Sequence, residues 1–149
     1  MATRSSWEIL AKKAQADVDN CQRAVQQAWR IVVQAKTQWE STQRMHQEYA
    51  ATYQTVQNDP HRMHDNLNFR QFLAQVQRLQ IHAEHELARA RAAHRQRQHE
   101  KNLADQELLK MTKLAEMQGR RVLVEEGRRD QQAMDALGVI RHHYGKRMV

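Results

Sequence analysis

The sequence predicts an all-α fold: an antiparallel two-helix coiled-coil hairpin with a longer second helix. Three observations lead there. One proline and four glycines in 149 residues cannot supply the many punctuated turns of a sandwich or barrel. The composition, rich in Ala, Gln, Arg, Glu and Lys and including 20 glutamines, is that of long helices. The lone proline, in Asn58-Asp59-Pro60, falls between two stretches in which apolar residues recur every seven positions, as in a left-handed coiled coil. A single coiled-coil domain over 1–149 follows.

Helix 1 is expected over about 6–57. Ser5-x-x-Glu8 reads as a capping box at its start. Alternating steps of four and three pass through Trp7, Ala11, Ala14, Val18, Cys21, Val25, Ala28, Val32, Ala35, Trp39, Thr42, His46, Tyr49, Tyr53 and Val56. All but Thr42 and His46 are apolar or aromatic. The alanines at 11, 14, 28 and 35 admit a closely approaching partner, and Trp29, Ile31, Val33 and Met45 widen the stripe.

The turn is placed at about 58–65, because proline removes a donor and pushes its predecessor out of the helical region. Asp65 or Asn66 can cap the next helix, expected over about 66–144. There Phe69, Phe72, Val76, Leu79, Ala83, Leu87 and Ala90 give a similar stepping, with one extra residue between Ala83 and Leu87. The run HRQRQHEKN at 94–102 interrupts the stripe, which returns at Leu103, Leu108, Met111, Ala115 and Val122. A solvated or loosely paired segment is the plainer reading of that run, and a protein contact the sharper one. With the turn centred near residue 61, partners sum to about 122, so Trp7 faces the region of Ala115 and helix 2 has nothing to lie against after about residue 117. That leaves roughly 40 Å of helix carrying Gly119, Gly127 and Gly138, each costing about 1 kcal/mol in a helix. Such a segment is marginal alone in water and points to a partner.

Function classes narrow from the same composition. A mean hydropathy of −0.93 and only 5% aromatic residues argue against a thick core and a concave, largely apolar enzyme pocket. The net charge of +7, with nine histidines besides, favours an acidic partner: nucleic acid, anionic membrane or an acidic protein face. Cys21 is alone and at a core position, where it reads as a small buried hydrophobe. No apolar run of about 18 residues offers a membrane span, and MATRSSWEIL lacks the apolar region of a signal peptide, so a cytoplasmic protein is expected.

Candidate chemistry is thin. His82 and His85, and His61 and His64, make pairs, but zinc needs three or four converging ligands, so no metal site and no cofactor are expected. No phosphate loop, nucleophile elbow or catalytic carboxylate pair is present, and no catalytic residue is assigned. Arg89, Arg91, Arg95, Arg97 and Lys101 form a basic cluster diluted by Glu86 and Glu100. It could track phosphates, yet stacking aromatics lie elsewhere, and a solvated face is the plainer account. Arg120, Arg121, Arg128 and Arg129 lie on the unpaired end, where protein contact is favoured. Trp39, Tyr49, Tyr53, Phe69 and Phe72 gather near the turn, either sealing it or forming a docking patch.

Three stretches carry a resemblance: WEILAKKAQADVDNCQRAV; TQWESTQRMHQEYAATY leading after the turn to NFRQFLAQVQRL; and RRDQQAMDALG. In order and spacing they resemble the FliJ family, small cytoplasmic proteins of the flagellar type III export apparatus, and they frame nearly the whole chain. The resemblance implies a non-catalytic antiparallel hairpin similar to the central stalk of rotary ATP synthases. It implies association with the hexameric export ATPase, FliI, through the open end, roughly residues 4–28 and 110–144 and so including Arg120, Arg121, Arg128 and Arg129. It implies a turn-proximal contact with the membrane export gate protein FlhA, carried over to Gln38, Tyr49, Phe72, Val76 and Leu79. Where that family tends to larger apolar or aromatic residues, this chain has Thr42, Met45 and Ala83. Handling of empty export chaperones, and a place at the cytoplasmic face of the inner membrane at the flagellar base, are implied as well. The equivalent stalk of a virulence-type secretion injectisome, a basic coiled-coil nucleic-acid binder and a homodimeric rod are the alternatives, with no small-molecule substrate in any of them.

Overall fold

A computed structural model describes the backbone of residues 2–58 and 63–147 and the side chains of 6–58 and 66–147. The fold is all-α. Helix α1 spans Ala2–Gln57 and helix α2 spans Met63–Arg147, 56 and 85 residues long. The expected break at Pro60 lies outside the described residues, as do His61 and the side chains of Ser5, His64 and Asp65. Both helices start earlier than expected. Ser5 is inside α1 rather than at its cap. Asn66 is inside α2, and its Oδ1 is buried with no hydrogen-bond partner.

The chain divides into two compact units, Asp19–Leu103 and a second made of Met1–Val18 with Ala104–Val149. In the 19–103 unit the helices pack antiparallel. The core cluster joins Val32 of α1 to Leu87 and Ala90 of α2, with Ala35 and Trp39 against it. Ring pairs fix the register. Trp29 meets His94 at 5.3 Å, Tyr49 meets Phe69 and Phe72 at 6.4 and 4.7 Å, and Tyr53 stacks on Phe69 at 6.2 Å. The numbers of these partners add to between 118 and 123, the offset that a turn near residue 61 requires. The rings of Tyr49, Tyr53, Phe69 and Phe72 thus pack on one another beside the turn, edge-on geometry prevailing as ring quadrupoles favour.

All fifteen positions of the four-three alternation on α1 are buried or half-buried. On α2 the seam takes a different path from the expected one. It runs through Phe69, Leu73, Val76, Gln80, Ala83, Leu87, Ala90 and His94, alternating four and three without the extra residue. Leu73 and Gln80 are half-buried in it, whereas Phe72 and Leu79 are 40% and 53% exposed on its flank. The polar stretch does not break the helix. His94 and Lys101 are half-buried at the next positions of the alternation, and Arg97 between them is exposed, so over 94–102 the seam is polar and more open.

In the other unit, Trp7, Ala11 and Val18 are half-buried and Ala14 is buried. On α2 the positions 104, 108, 111, 115, 118 and 122 are half-buried at the same alternation. Burial ends at Val122: every residue from 123 to 147 is exposed although helical. The sequence marks the end. The next seam positions, Glu125, Arg129 and Gln132, are polar, and Arg129 pairs with Glu125 of its own helix at 3.6 Å. Gly119, Gly127, Gly138 and Gly145 all keep negative φ and have open space where a Cβ would stand.

Candidate functional site

Two surfaces collect the residues singled out from the sequence, one in each unit. In the 19–103 unit, a groove lined by Ala24, Ile31 and Ala93 shows which flanks of the two helices share a side. At seven-residue spacing that side carries Ala24, Ile31, Gln38 and Met45 from α1 and Phe72, Leu79, Glu86 and Ala93 from α2. Gln38, Phe72 and Leu79 are all exposed. Tyr49 is half-buried, its ring edge-on to Phe72 at 4.7 Å. Val76 is 2% exposed, packed in the seam between the levels of Phe72 and Leu79. Six of these eight residues are apolar, the exceptions being Gln38 and Glu86, and Ile31, Phe72 and Leu79 are all at least two-fifths exposed.

The opposite flank is unlike it. It carries Gln22, Trp29, Lys36 and Gln43 from α1 and Gln77, Glu84, Arg91 and Gln98 from α2. Trp29 is the exception there, leaning on His94. Trp39, grouped by sequence with the turn aromatics, belongs instead to the Val32–Leu87–Ala90 core, where its Nε1 is buried without an acceptor.

In the other unit, Arg120, Arg121, Arg128 and Arg129 are exposed along α2. Arg121 and Arg128 are one heptad apart on the same flank. Among the described residues only Arg129 of the four has an ion-pair partner, and that pair is solvent-exposed, of a kind worth a fraction of a kcal/mol, about 0.2–1. Beyond them lies a feature that sequence reasoning missed. Ala133, Leu137, Ile140 and Tyr144 repeat the four-three-four spacing on a face rotated away from the α2 seam, all exposed, with Met134 beside them. Val139, Ile140, His143, Tyr144 and Arg147 line a shallow concavity there. The signal was available as a stripe that restarts out of register with the one ending at Val122.

Cys21 is a half-buried free thiol. Among the described residues no group of three or more His, Cys, Asp or Glu could hold a metal ion, and no helix is long and apolar enough to cross a membrane. Compared with protein-family models, with curated proteins and with solved structures, the chain finds no match in any of the three.

Proposed function

We propose that this chain is a non-catalytic stalk component of the bacterial flagellar type III export apparatus, linking the export ATPase ring, FliI, to the membrane export gate, FlhA. The observation that carries the reading is the inequality of the two helices: twenty-five consecutive helical residues, 123–147, expose every side chain. A helix with few contacts of its own is a segment that a partner orders. Four arginines at its base, in a chain of net charge +7, suit an acidic lining of a ring. The exposed Leu137, Ile140 and Tyr144 give that partner an apolar anchor. The three family-like stretches support the same assignment.

On this reading the 19–103 unit presents Gln38, Tyr49, Phe72 and Leu79 to the gate, with Val76 beneath them. Export chaperones are a further class of partner, and the site of action is the cytoplasmic face of the membrane at the flagellar base. The mechanism is mechanical: a helix pair that holds a ring and a gate in register while the ring hydrolyses ATP. Co-purification with the export ATPase, and its hydrolysis rate, are the test, using the full chain and a form lacking residues 118–149. Association and altered hydrolysis that both vanish with the deletion are expected. A full chain that neither associates nor alters hydrolysis overturns the reading.

A further inference from the structure

The last turns of α2 combine two features on one exposed helix. The first is an apolar face. At about 100° per residue, Ile140, Ala133, Tyr144 and Leu137 fall within an arc of about 60°. Leu137, Ile140 and Tyr144 are each at least half exposed, and no side chain from 123 to 147 is covered. The second is charge of one sign. From Ala136 to Arg147 there is no aspartate or glutamate, against Arg141, Lys146 and Arg147 with His142 and His143. Arg141 borders the apolar arc beside Leu137, and Arg147 borders it beside Ile140. Arg147 and His143 share a shallow concavity with Ile140 and Tyr144. Among the described residues Arg141, Lys146 and Arg147 have no ion-pair partner.

We propose that residues 133–147 form an interfacial helix that lies on a bilayer containing anionic phospholipid. The face of Leu137, Ile140 and Tyr144 enters the headgroup layer, and Arg141 and Arg147 meet lipid phosphates on either side. An apolar face with cations along its borders is the pattern of helices that lie in a membrane surface. The charge is complementary to an anionic leaflet, and each cation near such a surface adds to the attraction. Arginine stems can lie along the apolar layer while their guanidinium groups reach phosphate oxygens. Tyr144 supplies an apolar ring with a polar tip, the form suited to the boundary between lipid and water. No helix among the described residues is apolar enough to cross a membrane, so the contact is peripheral. A second copy would set the same cations against each other with no carboxylate between them, and like charges oppose that contact. Leu137, Ile140 and Tyr144 also anchor the ring contact proposed above, so ring and bilayer hold this end of α2 in turn. The bilayer is tested without the ATPase, so each contact stands or falls by itself.

The probes are vesicles of phosphatidylcholine alone and of phosphatidylcholine with phosphatidylglycerol, co-sedimented with the full-length chain at near-physiological salt. Three variants locate the contact. Ile140→Glu breaks the apolar face, and Arg141→Glu with Arg147→Glu reverses its borders. Arg91→Glu with Arg95→Glu reverses charge on the 19–103 unit instead. All five positions are exposed, so the helices stay paired, and circular dichroism checks this. The chain is expected to bind the phosphatidylglycerol vesicles and not the others. Ile140→Glu and the Arg141/Arg147 double variant each weaken binding at least about tenfold, whereas the Arg91/Arg95 double variant leaves it unchanged. Amide exchange slows over 133–147 when the anionic vesicles are added. Equal binding to both vesicles, indifference to Ile140→Glu, or loss of binding in the Arg91/Arg95 variant overturns the proposal. So does a chain that binds neither vesicle, which would leave this face to an acidic protein.

Discussion

Val76 and Leu79 are three residues apart on α2 and differ in what surrounds them. Val76 is 2% exposed in the seam, whereas Leu79, the larger side chain, is 53% exposed on the flank. Hydrophobic stabilisation follows area removed from water and the cavity left behind, not side-chain size. Val76→Ala is therefore expected to cost about 2 kcal/mol and Leu79→Ala less than about 0.5 kcal/mol, measured by urea denaturation with an unchanged slope. The opposite order would place the seam on the other face of α2. Asn66 gives a second case. Its buried Oδ1 lacks a donor, a loss that removal of the side chain relieves, and asparagine is a poorer helix former than alanine. Asn66→Ala is expected to raise stability by about 0.5 kcal/mol, read as a higher denaturation midpoint. A fall would mean that the carboxamide is satisfied in solution.

At the scale of elements, the α1 seam was legible throughout and the α2 seam only in outline, for one physical reason. On α1 thirteen of the fifteen seam positions are apolar or aromatic, so stepping by four and three finds them all, although Ile9, Leu10, Ile31 and Val33 stand exposed beside the stripe. On α2 apolar residues and seam positions separate. Phe72 is about as apolar as its neighbour Leu73, and Leu79 is far more so than Gln80, yet Phe72 and Leu79 lie outside the seam, so a reading guided by apolarity shifts to the flank and then needs an extra residue to return. The same bias made His94 to Asn102 look like a gap, although His94 and Lys101 are half-buried at regular seam positions. Seams tolerate polar heads on long apolar stems, which periodicity in hydropathy does not register. The exposed flank residues Phe72 and Leu79 stood out because they are large, whereas the alanine groove did not, because alanines mark a hollow only once two helices are in register. The glycines are the remaining element-scale feature. All four fall at or after Gly119, with helical φ and room for a Cβ. Gly127→Ala and Gly138→Ala are each expected to stabilise the end of α2 by about 1 kcal/mol, seen as greater helical ellipticity and slower amide exchange over 123–147. No change in exchange would show that this stretch is already held by contacts.

For the molecule as a whole, the two roles asked of the chain separate along α2. Seam burial ends at Val122, and nothing from 123 to 147 covers a side chain. Residues that bury no surface contribute little to the cooperative unfolding free energy, because the apolar area removed from water is elsewhere. The exposed stretch nevertheless keeps Leu123, Val124, Met134, Leu137, Val139, Ile140 and Tyr144 in water, an arrangement that only binding would reward. Truncation after Val122 is therefore expected to shift the thermal midpoint by no more than about 2 °C, while eliminating association with the export ATPase on the function proposed here. Calorimetry on the truncated chain and a pull-down with the ATPase read these two outcomes separately. A midpoint lowered by tens of degrees would mean that 123–147 packs on the paired helices in solution. An unshifted midpoint with retained ATPase binding would move the ring contact to the paired helices, away from Arg128 and Arg129.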